Sequence, residues 1–376
     1  MDPALDLAKL SPVASRVLDP KSPLPMRQMA ARGIVPGLKA SDMLSVVAAL
    51  AEVEDEAVSR IAQATLDKLP VQLLQGGFTP DLQAGVIDVI ARKYATEVGM
   101  MEKLLALPQI SMDTVASAAS LASEAVAELI ATNEERMIAH PAIIEKLYMN
   151  KRTRMSTADR VIELAVRRKL DLSGIPAFKE AAAAIGEELI AEATAEPTFD
   201  DIQFIKTEQL AQSIKIDIEK EETHIVDEAT GQEVAADKVR PLYQQLASLS
   251  ISQRIRRAQV GTAGERAILV RDPDRRVAVA AIKNPSIQES EVVRISAARS
   301  APEDVLRIIG SNKEWAGKYQ IKLNLVMNPR CPLAFAARFV VQLRESELKM
   351  VARSKNVTGA VSQAARQQLE RKGQKV

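Results

Sequence analysis

From Met26 to about Ala193, apolar residues recur every three or four positions in short stretches bounded by proline or small polar residues, so the pattern predicts helix after helix. Ser41-Asp42 opens a helix over Met43–Val53, and Glu54–Leu69 makes a second amphipathic helix that Pro70 ends. Thr79-Pro80-Asp81 predicts a start with proline at the first helical position, running to about Tyr94, and Thr96–Leu107 follows. Asp113–Thr132 is rich in alanine, which lets neighbouring helices approach closely. Pro141 begins another short helix, and Ser156-Thr157-Ala158-Asp159 reads as the cap of Arg160–Leu170. Upstream, residues 1–25 hold Pro3, Pro12, Pro20, Pro23 and Pro25 and read as an extended arm ahead of a helical domain at 26–193.

The pattern weakens near Glu192. From there to Lys238 the chain is acidic and polar, with the run Glu219-Lys220-Glu221-Glu222 and one hairpin-like alternation from Ile225 to Val234 around Ala229-Thr230-Gly231. Residues 194–238 read as a linker carrying a small β-hairpin; a segment that orders on binding a partner is the alternative.

Helical periodicity returns at 239–372, now with a repeat. Lys283-Asn284-Pro285 comes back as Met327-Asn328-Pro329 and Asn312 as Asn356, both after 44 residues. The same offset carries Ile321 onto Ala365 and Leu325 onto Leu369. Units at about 241–283, 284–327 and 328–372 follow, the second with helices over Glu289–Ala298, Pro302–Gly310 and Lys313–Val326. The third has them over Pro332–Leu343, Glu345–Arg353 and Thr358–Arg371. Asn150 lies 134 residues before Asn284, close to three periods.

Three helices in about 44 residues resemble the armadillo and HEAT repeat families. Arg271-Asp272-Pro273-Asp274-Arg275-Arg276-Val277-Ala278 is similar to HEAT helix openings, although the first unit needs an offset nearer 39 in its middle helix. The turns Asn284-Pro285-Ser286 and Asn328-Pro329-Arg330-Cys331-Pro332 are similar to those of bacterial leucine-rich-repeat variants. The resemblance implies an α-solenoid used as a binding scaffold, and it covers about a third of the chain.

Composition agrees with helices. Hydrophobic residues make up 47% of the chain but aromatics only 3%, a core of Ala, Leu, Ile and Val rather than the ring-rich interior of sheets. The expected fold class is all-α, a helical-repeat array that is either continuous or divided into two helical domains by the polar linker. No apolar run reaches 18 residues, the N-terminus lacks a signal-peptide pattern, and a single cysteine excludes an intrachain disulfide, so a cytoplasmic location is expected.

Charge changes the picture. The net value is +1, yet residues 251–376 hold 24 Lys+Arg against 11 Asp+Glu, while the preceding 250 hold 26 against 38. One reading is a basic module for an acidic partner; the other is that the two parts compensate each other. The candidate binding residues under the first reading are Arg254, Arg257, Arg271, Arg275, Arg276, Arg294, Trp315, Lys318, Tyr319 and Lys322. Arg275, Lys318 and Lys322 are expected on one concave wall, with Trp315 and Tyr319 one turn apart on a helix.

Catalytic chemistry is not legible. His140 and His224 lack companion ligands, no phosphate-binding glycine loop or nucleophile elbow occurs, and the acidic pairs Asp200-Asp201 and Glu221-Glu222 are adjacent in polar sequence. Cys331, beside Arg330 and a helix start, has the setting for a lowered pKa, although packing is the commoner role for such a residue. No catalytic residue, metal or cofactor is assigned. The expectation is a non-enzymatic scaffold that receives an acidic protein or peptide segment in a basic groove. The alternatives are a nucleic-acid-binding repeat protein and, third, a helical-repeat enzyme acting on DNA in the manner of the alkylpurine DNA glycosylases.

Overall fold

The computed structural model of the 376-residue chain describes residues 5–188, 190, 192–214, 216, 223–226 and 233–372. They form an all-α architecture of 25 α-helices, one short 3-10 turn and a two-stranded ladder. Two compact units divide between Leu172 and Ser173.

Unit 1 holds α1 (Pro12–Leu18), α2 (Leu24–Ala31), α3 (Ala40–Ala51), α4 (Glu56–Lys68), α5 (Val71–Gly76) and α6 (Ala84–Lys93). It continues with α7 (Val98–Leu105), α8 (Met112–Leu121), α9 (Glu124–Ala131), α10 (Glu134–Ala139), α11 (Ala142–Met149) and α12 (Met155–Arg168). Helices α3, α6, α8 and α11 each pack on the next, as do α7, α9 and α12. The segment expected as an extended arm is not extended over residues 12–18. Ser11 caps α1, Pro12 occupies its first turn, and Ala14 and Val17 enter a core with Val46, Leu50, Val58 and Leu66. Burial of those two apolar residues holds the proline-rich segment against α3.

Two helix starts fall elsewhere than expected. Thr79-Pro80-Asp81 forms a turn, closed by the Leu82 amide donating to the Thr79 carbonyl, and drives Leu82 into the core; α6 begins after it. Ser156 and Thr157 lie buried inside α12 rather than capping it, because α12 already starts at Met155. Asp113–Thr132 divides into two helices at Ala122-Ser123, where the Ser123 hydroxyl donates to the Thr96 carbonyl.

Unit 2 opens with α13 (Phe178–Ile185), α14 (Phe199–Ser213), β1 (His224–Val226), β2 (Glu233–Ala235) and α15 (Arg240–Ala247). It continues with α16 (Ile251–Val260), α17 (Ala263–Leu269), α18 (Arg275–Ile282), α19 (Glu289–Ala297) and α20 (Glu303–Ser311). It ends with α21 (Lys313–Gly317), α22 (Tyr319–Met327), α23 (Leu333–Val340), α24 (Glu345–Arg353) and α25 (Gly359–Arg371). The described residues of the expected linker at 194–238 include a helix and a two-stranded ladder. Helix α14 begins with a capping box, in which Thr198 and Asp201 satisfy each other's amides. The hairpin alternation emerges as an antiparallel ladder with Ile225 opposite Val234, and the glycine-containing connection lies outside the described residues. The acidic run at 219–222 lies outside them too.

The Asn-Pro echo has a physical cause. Asn284 follows the C-cap of α18, donates from Nδ2 to the carbonyls of Ala258 and Gln259 at 2.7 and 2.9 Å, and accepts from the Ser286 amide at 2.7 Å. Asn328 ends α22 and does the same with Ser296, Ala298 and Arg330. Asn150, at the end of α11, repeats the arrangement with Ala119, Ala122 and Arg152. In each case a buried amide satisfies carbonyls near the end of the preceding packed helix, groups that have no intrahelical donor. Only asparagine among short side chains both donates twice and accepts. Asn356, the echo of Asn312, is exposed and takes no part.

Candidate functional site

Most of the arginines that make residues 251–376 basic are committed to the unit itself. On α16, Arg257 donates to both oxygens of Glu265 at 2.6 and 2.8 Å, and Glu265 also accepts from the Thr262 amide at the start of α17. Arg257 and Arg256 are buried, their guanidinium groups 4.8 and 4.9 Å from the Phe204 ring of α14. Arg254 grips both oxygens of Asp272 at 2.9 and 2.7 Å. Burial pushes the Asp272 carboxyl up from its ordinary value, opposed by the Asp274 amide and by Arg254. Arg266 binds Glu291 at 2.7 Å, and Arg271 binds the Ser300 hydroxyl and the Ala267 carbonyl. These are ties between successive helices.

The aromatic pair does not share one helix. Trp315 lies half-buried on α21 and Tyr319 starts α22, so the single helix expected over 313–326 is broken between them at Lys318. The Tyr319 hydroxyl donates to Glu347, and Arg344 stacks on its ring at 4.8 Å. Lys318 pairs with Glu289 at 2.8 Å, Lys322 is half-buried on α22, and Arg294 is exposed on α19. Of the expected residues, the structure gathers Arg275 and Arg276 in one hollow.

That hollow is a cleft of about 390 Å³ within unit 2. Lys179, Glu180 and Ala183 of α13 form one wall, Arg275, Arg276 and Val279 of α18 with Lys283 the second, and Asp304, Arg307 and Ile308 of α20 the third. Arg275 Nε lies 2.7 Å from Asp304 Oδ2, and Arg307 Nη1 donates to Asp304 Oδ1 at 2.6 Å, so two guanidinium groups converge on one carboxylate. Arg276 bonds Asp274 and Glu187, which raises its pKa further, and its hydrogen bond holds the Asp274 carboxyl below the usual carboxylate range. Lys283 Nζ donates to Glu180 Oε1 at 3.0 Å. The Arg275 side chain remains 74% exposed. Lys179 and Lys283 carried no signal as site residues in the sequence, because they enter the cleft only when α13 packs against α18.

Comparison of the chain with protein-family models, with characterised proteins and with solved structures gives no match.

The charge asymmetry has a tertiary resolution. Residues 173–250 carry 6 Lys+Arg against 16 Asp+Glu, so unit 2 as a whole holds 30 against 27, and unit 1 holds 20 against 22. Glu180, Glu187 and Glu208 from the acidic stretch meet Lys283, Arg276 and Arg257 from the basic one. The two parts compensate each other within one folded unit.

Cys331 is buried at the turn after α22, and burial pushes its thiol up to about 12, the reverse of the lowering that its neighbours implied. His140 faces Asp113, its Nε2 3.2 Å from Oδ1. Among the described residues no group of three or more His, Cys, Asp or Glu side chains is placed to hold a metal ion. No helix among them is long and apolar enough to cross a membrane.

Proposed function

We propose that the chain is a helical-repeat scaffold of the solenoid kind, and that the cleft between α13, α18 and α20 receives an acidic protein segment. The repeated asparagine ties and the successive packing of helices support the repeat reading. The observation that carries the functional reading is the convergence of Arg275 and Arg307 on Asp304. It is a carboxylate held the way an incoming glutamate or aspartate would be held, beside the apolar side chains of Val279 and Ile308. Arg275 and Arg307 are 74% and 49% exposed although Asp304 is only 26% exposed, and pairs this open to solvent contribute on the order of 1 kcal/mol, so an external carboxylate can compete with the internal one. The near balance of charge in unit 2 counts against nucleic acid, whose affinity rests on many uncompensated cations.

The test is fluorescence anisotropy with a labelled glutamate-rich peptide and, in parallel, a labelled DNA duplex, each at low and physiological salt. The peptide is expected to bind, with Arg275→Glu/Arg307→Glu weakening it at least tenfold. Equal binding by that variant, or tighter binding of the duplex than of the peptide, would overturn the reading.

A further inference from the structure

Helix α14 is amphipathic in the unexpected sense. Its inward face is Asp201, Phe204, Thr207 and Ala211, with Phe204 lying against two guanidinium groups, while Phe199, Ile202 and Ile205 face outward. Phe199 is 72% exposed, a large cost to leave in water. The three residues follow a three-residue spacing on one side of the helix and span about 9 Å, six rises of 1.5 Å. That is the anchor pattern of a helix that lies in an apolar groove.

Unit 1 contains such a groove, of about 670 Å³, formed around α1, α2 and the turn that follows. Val13, Met26, Met29 and Ile34 line it and are themselves exposed. Its shape is built in. Gly33 and Gly37 adopt the left-handed φ values of 71° and 82°, and these turns present Ile34, Val35 and Pro36 as one wall. Prolines on the rim lose little freedom on binding, and the methionines adapt their shape to an inserted ring.

Charge selects the occupant. Residues 5–39 carry six Lys+Arg against two Asp+Glu, and Arg16 is part of the groove wall. Residues 192–208 carry five Asp+Glu against one Lys; Asp200 is exposed on α14 next to Phe199, and Glu192 and Glu196 are exposed in the segment before the helix. The apolar stripe thus lies in an acidic segment and the apolar groove in a basic one, with Asp200 on α14 and Arg16 in the groove wall as the charges placed at each surface. We infer that α14 of one copy docks in the α1–α2 groove of a second copy, a head-to-tail contact between different surfaces.

Such a contact has a signature that a symmetric dimer lacks, since each copy keeps one free surface. Sedimentation velocity from about 1 to 100 μM should show the native chain associating beyond a dimer as concentration rises. Met29→Glu blocks the groove and Ile202→Asp blocks the stripe; each variant alone should associate at least tenfold more weakly. Mixed in equal amounts they should form a dimer and nothing larger, because one intact groove meets one intact stripe. Val13→Lys and Phe199→Lys serve as a second pair, with circular dichroism confirming the helical content of all four. A native chain that stays monomeric at 100 μM, a variant that associates as the native chain does, or a mixture that stays monomeric would each overturn the inference.

Discussion

Replacing Asn284 by alanine removes two hydrogen bonds to the carbonyls of Ala258 and Gln259 and one from the Ser286 amide, at a site 2% exposed. Three net hydrogen bonds at about 1 kcal/mol each set the lower bound, and buried carbonyls left without donors raise the loss to about 3–5 kcal/mol. With a urea slope of about 2 kcal/mol/M, the unfolding midpoint should fall by about 1.5–2.5 M. Asn284→Asp isolates the donor role. It keeps the acceptor for Ser286 but sets a carboxylate against two carbonyl oxygens, so it should cost at least as much. Trp315, the single tryptophan of the chain, lies in unit 2 and reports its unfolding by fluorescence. Asn356→Ala is the control, because that side chain is exposed and should shift stability by no more than about 0.5 kcal/mol. A loss for Asn284→Ala within about 1 kcal/mol of that control would refute the claim that the asparagine ties hold successive helices together. A tolerated Asn284→Asp would refute it equally.

Other outcomes follow from the same structure. Glu265→Gln takes from buried Arg257 its bidentate carboxylate and leaves only Glu208 at 3.5 Å, so it should destabilise unit 2 by about 3 kcal/mol in urea titration, far more than breaking the exposed Arg60–Glu56 pair. Gly261→Ala would place a Cβ 2.4 Å from the Arg257 carbonyl and 2.7 Å from the Glu265 carboxylate, so it should lower the stability read by Trp315 fluorescence in urea by about 1–3 kcal/mol. Cys331 should resist iodoacetamide at pH 8 in the native chain and react rapidly in denaturant. Its folded pKa lies above the unfolded value of about 8.5, so its contribution to stability is complete below about pH 8.5 and is lost as pH rises toward 12. A Tm flat from pH 8 to 10.5 would contradict that burial.

Much of the fold was legible because helix signals are local. Glu345–Arg353 is a helix with the expected bounds, and Pro70, Pro302 and Asn312 mark the expected boundaries. The failures occurred where tertiary contact outweighed a local signal. Leu82 takes the Thr79-Pro80 start into a turn, Ser156 enters the core, and Val17 draws the proline-rich arm onto α3. The candidate site was half legible: Arg275 and Arg276 announced themselves by charge, whereas Lys179, Lys283 and the carboxylates opposite them needed α13 to be in place.

The sequence by itself determined that the chain is helical and that an asparagine recurs at helix ends, since periodicity, caps and a donor-acceptor requirement are written in neighbouring residues. Only the tertiary structure decided what the charges do. Ion pairing depends on which residues meet in space, and Glu180, Glu187 and Glu208 meet their cations across separations that no local pattern encodes. A basic stretch became a set of internal ties, with Arg275 and Arg307 left exposed at a cleft.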